Sequence, residues 1–163
     1  MTNDGDLLGE QLLRSFAAVN KGLRQWVRSQ IGAQPGMTIG RAGVLLGLLE
    51  RDEPVSMSAL GTAQDLTPRS MTVLASGLEK EGLVRRMRHP DDGRVTLLSL
   101  TPAGRDLAAQ QLIPAGKEAA ALFDELPEDD RRQLLRLLGE VMRHLELHGI
   151  EAPLPPDRDL NPG

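Results

Sequence analysis

One segment, residues 68–81, is predicted to form a helix whose outer face has the chemistry to read DNA. Met71, Leu74 and Leu78 recur three and four residues apart, so they share one buried face and the intervening side chains point away from it. Arginine can bind guanine O6 and N7, hydroxyls can bind base edges or phosphates, and valine or threonine methyl groups can contact thymine. The alternative is a solvated face, although such faces usually carry more Glu and Lys. The candidates for DNA contact on or beside this face are Thr67, Arg69, Ser70, Thr72, Val73 and Ser76.

A charged segment that follows the helix is predicted to form a β-hairpin. A strand begins at Leu83, residues 88–94 form a polar turn that contains a proline and a glycine, and apolar residues alternate from Val95 along a second strand. Arg94 stands beside the turn glycine, where it can reach a minor groove, whose negative potential attracts arginine. Asp92 cannot favour DNA by charge, and we expect it to hold the shape of the hairpin by pairing with a nearby arginine. The cationic candidates are Arg85, Arg86, Arg88, His89 and Arg94, and the alternative is a solvated charged hairpin.

Capping and breaking residues place these two segments among further helices. Thr67 can cap a helix whose first residue is Pro68, where the missing N–H costs nothing, and Gly82 fits the left-handed residue just past its end. Thr101 and Pro102 repeat the Thr-Pro helix start. The linker into the candidate reading helix is short, so this helix and the one before it are predicted to form a helix-turn-helix. The predicted helices span residues 6–31, 39–50, 57–64, 68–81, 102–123 with a kink or break at Pro114, and 128–148.

The order of these segments resembles a known family. Residues 78–86 read LEKEGLVRR, residues 88–94 read RHPDDGR and residues 98–104 read LSLTPAG. This succession is similar to the winged helix-turn-helix of the multiple antibiotic resistance regulator (MarR) family. The Asp-Gly-Arg triplet at the turn and the Leu-Thr-Pro-Ala-Gly run are its most specific pieces, and the resemblance extends more loosely over about residues 5–150.

The resemblance implies a mainly α fold with a small β-hairpin wing. It places a winged helix-turn-helix DNA-binding core at residues 38–101, flanked by N- and C-terminal dimerisation helices at residues 6–37 and 102–148, in one domain of residues 1–150. Family members are dimeric transcription factors, mostly repressors, and many release DNA on binding a small molecule. The expected partners are therefore double-stranded DNA at a pseudo-palindromic operator, a second copy of the chain and a small-molecule effector. The proline-rich tail, residues 151–163, is expected to be disordered.

The net charge of −4 is unevenly distributed along the chain. Residues 67–94 carry six Lys or Arg against four Asp or Glu, whereas the segments before and after them are both negative. Phosphate affinity depends on the local field rather than on the total charge, so this asymmetry favours DNA contact at the helix and the hairpin. Val73 and Gly77 stand where family members often carry arginine, which leaves fewer cationic contacts on the helix.

Other features argue against whole classes of function. The chain has no cysteine, which excludes disulfides, thiolate metal sites and thiol-based redox sensing. It lacks an apolar run of about 18 residues and begins without a signal-peptide pattern, so we expect a cytoplasmic protein. It has no Gly-rich phosphate loop, no His-Glu-x-x-His and no nucleophile elbow, so we expect no enzymatic activity, no catalytic residue and no cofactor.

Several patterns have two interpretations. The apolar stripes of residues 6–31 and 128–148 fit either core-facing helices or a dimer interface. Gly40, Gly43 and Gly47 fit close helix packing, which we favour, or room for a ligand. The rival function, from another class, is a winged-helix module that binds protein rather than DNA.

One cluster on the last predicted helix could in principle bind a metal ion. Glu140, His144 and His148 are four residues apart, so one face presents a carboxylate and two imidazoles. The alternative is a solvated face near a helix C-terminus, where histidine is electrostatically favourable. We favour the solvated face and expect no metal site.

Overall fold

The structure is a computed structural model that describes residues 4–31, 36–51 and 53–150. These residues are mainly helical, and the helix bounds agree with the predicted spans to within two residues except over residues 102–123. The helices are α1 (Asp4–Ile31), α2 (Ile39–Leu49), α3 (Met57–Ala63), α4 (Pro68–Lys80), α5 (Pro102–Leu107), α6 (Ile113–Ala120) and α7 (Glu128–Leu147). The strands are β1 (Val55–Ser56), β2 (Val84–Arg88) and β3 (Thr96–Leu100).

Hydroxyl side chains start four of these helices, as predicted for Thr67 and Thr101. In each, the side-chain oxygen accepts a hydrogen bond from the backbone N–H three residues on, at 3.1–3.3 Å. Such a cap typically stabilises a helix by about 1 kcal/mol. The predicted end of α4 is confirmed as well, because Gly82 has φ 72° and the Leu83 N–H donates to the carbonyl of Leu78 at 2.9 Å. The capping residues are Thr38, Ser56, Thr67 and Thr101.

The strands form one antiparallel sheet in the order β1-β3-β2. β2 and β3 pair over their full length, with Arg88 opposite Thr96 at the turn end, as the hairpin pattern predicts. The sequence pattern does not predict β1, which pairs with β3 through Val55 and Leu98. Two residues are too few to show a period of two, and their partner lies far along the chain. β2 is consequently an edge strand of the sheet.

The chain divides into two compact units, residues 1–119 and residues 120–163. The first unit has an aliphatic core to which α2, α3, α4, the sheet and the α5 segment all contribute. Leu45, Leu60 and Leu78 are fully buried in it, and each such burial stabilises the fold by about 1.5–3 kcal/mol. Among the described residues the buried members of this core include no aromatic ring, in keeping with two Phe and one Trp in the whole chain.

The glycine stripe of α2 is used for close packing. Cβ atoms added at Gly40 and Gly47 would lie 3.3 and 3.0 Å from leucine methyl carbons, and one at Gly43 would overlap a side-chain amide. The space beside the stripe is thus already filled, which confirms the packing interpretation over room for a ligand. The side chains that fill it are Leu60, Gln64 and Leu74.

Pro114 interrupts the predicted helix without ending it. α5 passes into a π-helical turn, Ala108–Leu112, and then into α6, whose second residue is Pro114. A π turn changes the hydrogen-bond ladder locally, which accommodates a residue that has no N–H and whose ring clashes with the preceding turn. Within the first unit, the Trp26 Nε1–H donates to the carbonyl of Ala119 at 3.1 Å and ties α1 to α6.

The second unit contains a 3-10 turn, Ala121–Glu125, followed by α7. α7 ends next to Gly149, as predicted, and that glycine has φ 76°. Four apolar side chains that share one side of α7 are 37–49% exposed, so this stripe is available for contacts. The stripe consists of Leu134, Leu137, Val141 and Leu145.

The remaining expectations concern metal, membrane and tail. Glu140 Oε1 accepts a hydrogen bond from Arg136 at 2.6 Å, and within the described ranges no three His, Cys, Asp or Glu side chains lie close enough to hold a metal ion. In those same ranges no helix has the length and apolar character needed to cross a bilayer. The predicted disorder of residues 151–163 lies outside the described residues.

Candidate nucleic-acid interface

The first turn of α4 is fixed by its own side chains. Thr67 Oγ1 accepts from the backbone N–H of Ser70 at 3.1 Å and lies 2.9 Å from Ser70 Oγ. Pro68 occupies the first helical position. Both hydroxyls are therefore engaged at the helix N-terminus, where the helix dipole and the outward N–H groups favour a negative group such as phosphate.

An exposed stripe runs along α4, away from the core. Arg69 and Val73 lie on it one turn apart, and Val73 is 66% exposed, an unusual position for a branched apolar side chain. Met71, Ala75 and Leu78 are buried on the opposite side, as the predicted helix face requires. The stripe thus offers a guanidinium and a pair of methyl groups to an incoming surface.

Two predicted contact residues on α4 use their hydroxyls within the helix. Thr72 Oγ1 donates to the carbonyl of Pro68, and Ser76 Oγ donates to the carbonyl of Thr72, each at 2.8 Å. This pattern of bonding to the fourth preceding carbonyl is common for Ser and Thr in helices. In this conformation each hydroxyl can only accept a further hydrogen bond.

The two neighbouring arginines of β2 lie on opposite faces of the sheet, because side chains alternate along a strand. Arg86 faces α4, where its Nη2 donates to Ser76 Oγ at 2.6 Å and its Nε lies 3.2 Å from Glu79 Oε2. Arg85 faces away, and its Nε donates to Ser99 Oγ at 2.9 Å. The structure therefore separates two residues that the sequence placed in one cationic cluster.

The tip of the wing is built around a backbone turn. Asp92 Oδ1 accepts from the backbone N–H of Arg94 at 3.0 Å, and the His89 N–H donates to the carbonyl of Val95 at 3.0 Å. His89 Nδ1 also accepts from the Asp91 N–H at 3.2 Å. Asp92 holds the wing's shape as expected, but its partner is the backbone amide of Arg94 rather than a guanidinium. The side chains of Arg88 and Arg94 are exposed, and neither has an ion-pair partner within the described residues.

Comparison with known proteins supports the resemblance to the MarR family. Residues 42–96, which run from within α2 through the helix-turn-helix to the first residue of β3, match the sequence model of the MarR family. This region of the chain is therefore similar to the MarR family. It is 27% identical over 103 residues to the uncharacterized HTH-type transcriptional regulator YhbI of Bacillus subtilis, across 63% of this chain and 67% of that protein. It is 24% identical over 113 residues to the HTH-type transcriptional repressor YetL of the same organism, across 69% and 68% respectively.

Solved structures extend the comparison to three dimensions. Reduced AbfR bound to DNA is 27% identical to this chain, with a TM-score of 0.66 over 89% of this chain and 99% of that chain. A mutant MarR from E. coli, complexed with operator DNA, is 22% identical with a TM-score of 0.72 over 81% of this chain and 94% of that chain, so the mainly α fold with a winged helix-turn-helix is the MarR fold. The relatives YhbI and YetL are both named as HTH-type regulators of transcription.

The sequence motifs did not predict two features of the candidate interface. Lys80 is exposed and stands eleven residues, close to three helical turns, after Arg69, so it continues the α4 stripe. Arg41 of α2 pairs with Glu81, and its guanidinium nitrogen Nη1 comes within 4.0 Å of the position of a Cβ at Gly77. A cation therefore does lie beside Gly77, but α2 supplies it. Extending the 3.6-residue period to the helix end would have found Lys80, whereas no local signal connects Arg41 to α4.

Proposed function

We propose that the protein is a transcriptional regulator that binds double-stranded DNA with α4 in the major groove and the wing beside the adjacent backbone and minor groove. The observation that carries the proposal is the exposed α4 stripe of Arg69, Val73 and Lys80, next to a wing that presents Arg88 and Arg94. All of them lie within residues 67–94, which carry six Lys or Arg against four Asp or Glu although the whole chain has a net charge of −4. Clustered cations supply the phosphate affinity, and a helix of this kind supplies the side chains that read base edges.

The proposed roles differ along the interface. Arg69 can take guanine O6 and N7, and Val73 can contact a thymine methyl group. Thr67 and Ser70 orient the helix N-terminus at a phosphate. Thr72 Oγ1 can accept a hydrogen bond from the DNA, whereas Ser76 Oγ already accepts one from Arg86. Asp92 and His89 shape the wing that carries Arg94 into the minor groove.

We propose that the regulator works as a homodimer. Apolar side chains of α1 are 51–61% exposed, although burying them is worth about 25 cal/mol per Å². A stripe of this kind on a long helix fits an interface with a second copy, and α7 carries another. Two symmetric α4 helices would enter successive major grooves, roughly 34–36 Å apart, at a pseudo-palindromic operator. The α1 residues of this stripe are Leu8, Leu12, Phe16 and Val19.

Repression and release by a small molecule complete the proposal. The relative YetL is named as a repressor, which supports repression here. One surface of α1 carries Leu13 and Phe16 together with the cations Arg24 and Arg28, so its chemistry suits an apolar organic acid. The effector must bind the DNA-free conformation better than the DNA-bound one, since otherwise it shifts no equilibrium. Trp26 is the only tryptophan, and its fluorescence would report an acid bound near α1.

The direct test is selection of bound duplexes from a random pool by the full chain, followed by affinity measurements at several salt concentrations. We expect an enriched pseudo-palindrome and a steep fall of log affinity with log salt, because binding releases counterions. No enrichment and a flat salt dependence would instead favour a winged-helix module that binds protein. The proposal assigns the protein a binding role in the cytoplasm, where promoter DNA is accessible, rather than a catalytic one.

A further inference from the structure

We infer that Arg86 is a positioning residue that holds α4 in register with the wing and does not contact DNA. The inference rests on the proposed function, because it concerns how α4 is presented to a duplex. Arg86 was predicted to contact DNA, and the inference assigns it instead to holding the helix that carries the contact residues.

The guanidinium of Arg86 spans two turns of α4. Its Nη2 donates to Ser76 Oγ at 2.6 Å and to the carbonyl of Thr72 at 3.3 Å. Its Nε lies 3.2 Å from Glu79 Oε2, close enough for an ion pair although not aligned as a hydrogen bond. These three α4 residues are four and three apart, so they share the side of the helix that faces β2.

Glu79 completes the connection from the side of the helix. Its Oε1 accepts from the backbone N–H of Arg86 at 3.3 Å, so a single carboxylate holds both the main chain and the side chain of that residue. β2 is an edge strand, and an edge strand has N–H groups that lack a strand partner. The opposite residue on β3, Leu98, is fully buried, which ties the backbone of Arg86 to the core.

This arrangement leaves Arg86 poorly suited to bind phosphate. Its side chain is only 29% exposed, and the carboxylate of Glu79 compensates its charge. The wing residues Arg88 and Arg94 are exposed by contrast. A phosphate would have to displace Glu79 from Arg86, whereas it could approach Arg94 without breaking an ion pair in the described structure.

The clamp formed by Arg86, Glu79 and Ser76 fixes the rotation of α4 about its axis. Arg69 and Val73 lie on the same rigid helix, so that rotation determines where their side chains meet the bases. Functional side chains lose most of their effect when their support lets them move by about 1 Å. Breaking the clamp should therefore weaken operator binding without changing the number of phosphate contacts.

A double-mutant cycle on the full chain tests this inference. Removing the carboxylate in Glu79→Ala would by electrostatics alone raise affinity for DNA. The clamp predicts instead that Glu79→Ala and Arg86→Ala each weaken binding of the selected operator by about ten-fold, and that the double variant is no weaker than the worse single one. Additive effects, or tighter binding by Glu79→Ala, would overturn the inference.

Conservative variants and salt dependence separate positioning from phosphate contact. Lysine can replace arginine at a phosphate but not in a planar, forked network, so Arg86→Lys should bind as weakly as Arg86→Ala. Glu79→Gln keeps an acceptor for the Arg86 N–H and should lose less affinity than Glu79→Ala. The slope of log affinity against log salt should be unchanged in Arg86→Ala. In the control Arg94→Ala it should flatten by about 0.9 per lost phosphate contact, or about 1.8 for the two subunits of a dimer. Rescue by lysine together with a flatter slope in Arg86→Ala would make Arg86 a phosphate contact.

The same cycle measured on unfolding distinguishes two kinds of failure. Urea unfolding of the four proteins without DNA should show coupling between positions 79 and 86. Absence of this coupling would overturn the clamp even if the wild-type chain binds DNA. Failure of the wild-type chain to bind any duplex would overturn the proposed function, and coupling between the two positions would still support the clamp. Binding assays at temperatures well below the unfolding midpoint ensure that lost affinity reflects positioning and not loss of folded protein.

Discussion

Replacing Gly104 with alanine should destabilise the protein severely, because α5 passes directly over the chain that enters β2. A Cβ at this position would lie 1.9 Å from the carbonyl oxygen of Leu83 and 2.9 Å from its carbonyl carbon. That oxygen accepts hydrogen bonds from the backbone N–H of Thr101 at 3.1 Å and from Thr101 Oγ1 at 3.2 Å. The overlap therefore falls on backbone that cannot rotate away as a side chain can.

The magnitude follows from this geometry. An ordinary carbon–oxygen contact of about 3.3 Å requires the Leu83 carbonyl and α5 to separate by roughly 1.4 Å. Overpacking of this kind typically costs about 1–3 kcal/mol, and a weakened hydrogen bond to Thr101 adds about 1 kcal/mol. We expect a loss of about 3 kcal/mol or more, which for a chain of this length corresponds to a fall in Tm of roughly 6–12 °C.

Gly116→Ala is the matched control. Gly116 is exposed in α6, and a Cβ there would meet nothing within 4 Å. The same substitution should raise stability by up to about 1 kcal/mol, since alanine favours a helix interior over glycine. Urea and thermal unfolding at one fixed protein concentration would measure both variants. A Gly104→Ala protein as stable as the wild type would refute the close approach of α5 and β2.

Three further outcomes are expected. Phe16→Glu should shift the protein from dimer to monomer in sedimentation at micromolar concentration, because it places a charge in the apolar α1 stripe. An unchanged dimer would exclude this stripe as the dimer interface. Asp65→Gly should raise the free energy of unfolding by about 0.5–1 kcal/mol, because Asp65 has φ 50° between α3 and α4, a conformation that glycine adopts more easily. A loss of stability would show that the aspartate side chain compensates for that conformation. The hydrogen bond from Arg132 lowers the pKa of Glu128, so the stabilisation from this ion pair is present above the ordinary Glu pKa and disappears as pH falls through the lowered one. NMR titration should show the Glu128 pKa rising towards its ordinary value in Arg132→Ala, and an unchanged pKa would mean that Arg132 is not its cause.

The fold was predictable where local chemistry decides it. Thr67 and Pro68 start α4 and Gly82 ends it through hydrogen bonds to residues within one or two turns, so the signals lie in the sequence itself. Pro114 predicted an irregular helix because its effect is also local. The π turn that accommodates this proline depends on how α5 packs. β1 could not be predicted, because its two residues gain strand character only by pairing with β3.

The candidate site was predictable by residue type more than by role. Arg85 and Arg86 are adjacent in sequence and have identical chemistry. The orientation of β2 places Arg86 beside α4 and Arg85 on the opposite face of the sheet. Asp92 was expected to pair with an arginine, and it does bond to one, but through the backbone N–H that closes the wing turn. Such roles depend on distances between separate elements, which spacing along a chain does not specify.

The central claim is that α4 reads base pairs while the wing supplies backbone and minor-groove affinity. The most direct measurement compares Arg69→Ala and Arg94→Ala on a panel of operators that differ at single positions. We expect Arg69→Ala to cost roughly 1–3 kcal/mol and to relax the preference at one base pair per half-site. Arg94→Ala should weaken all operators about equally, or mainly those with A·T-rich flanks if Arg94 reads a narrow minor groove. Equal losses at every position for Arg69→Ala would make it a phosphate contact, and full binding by both variants would contradict the account.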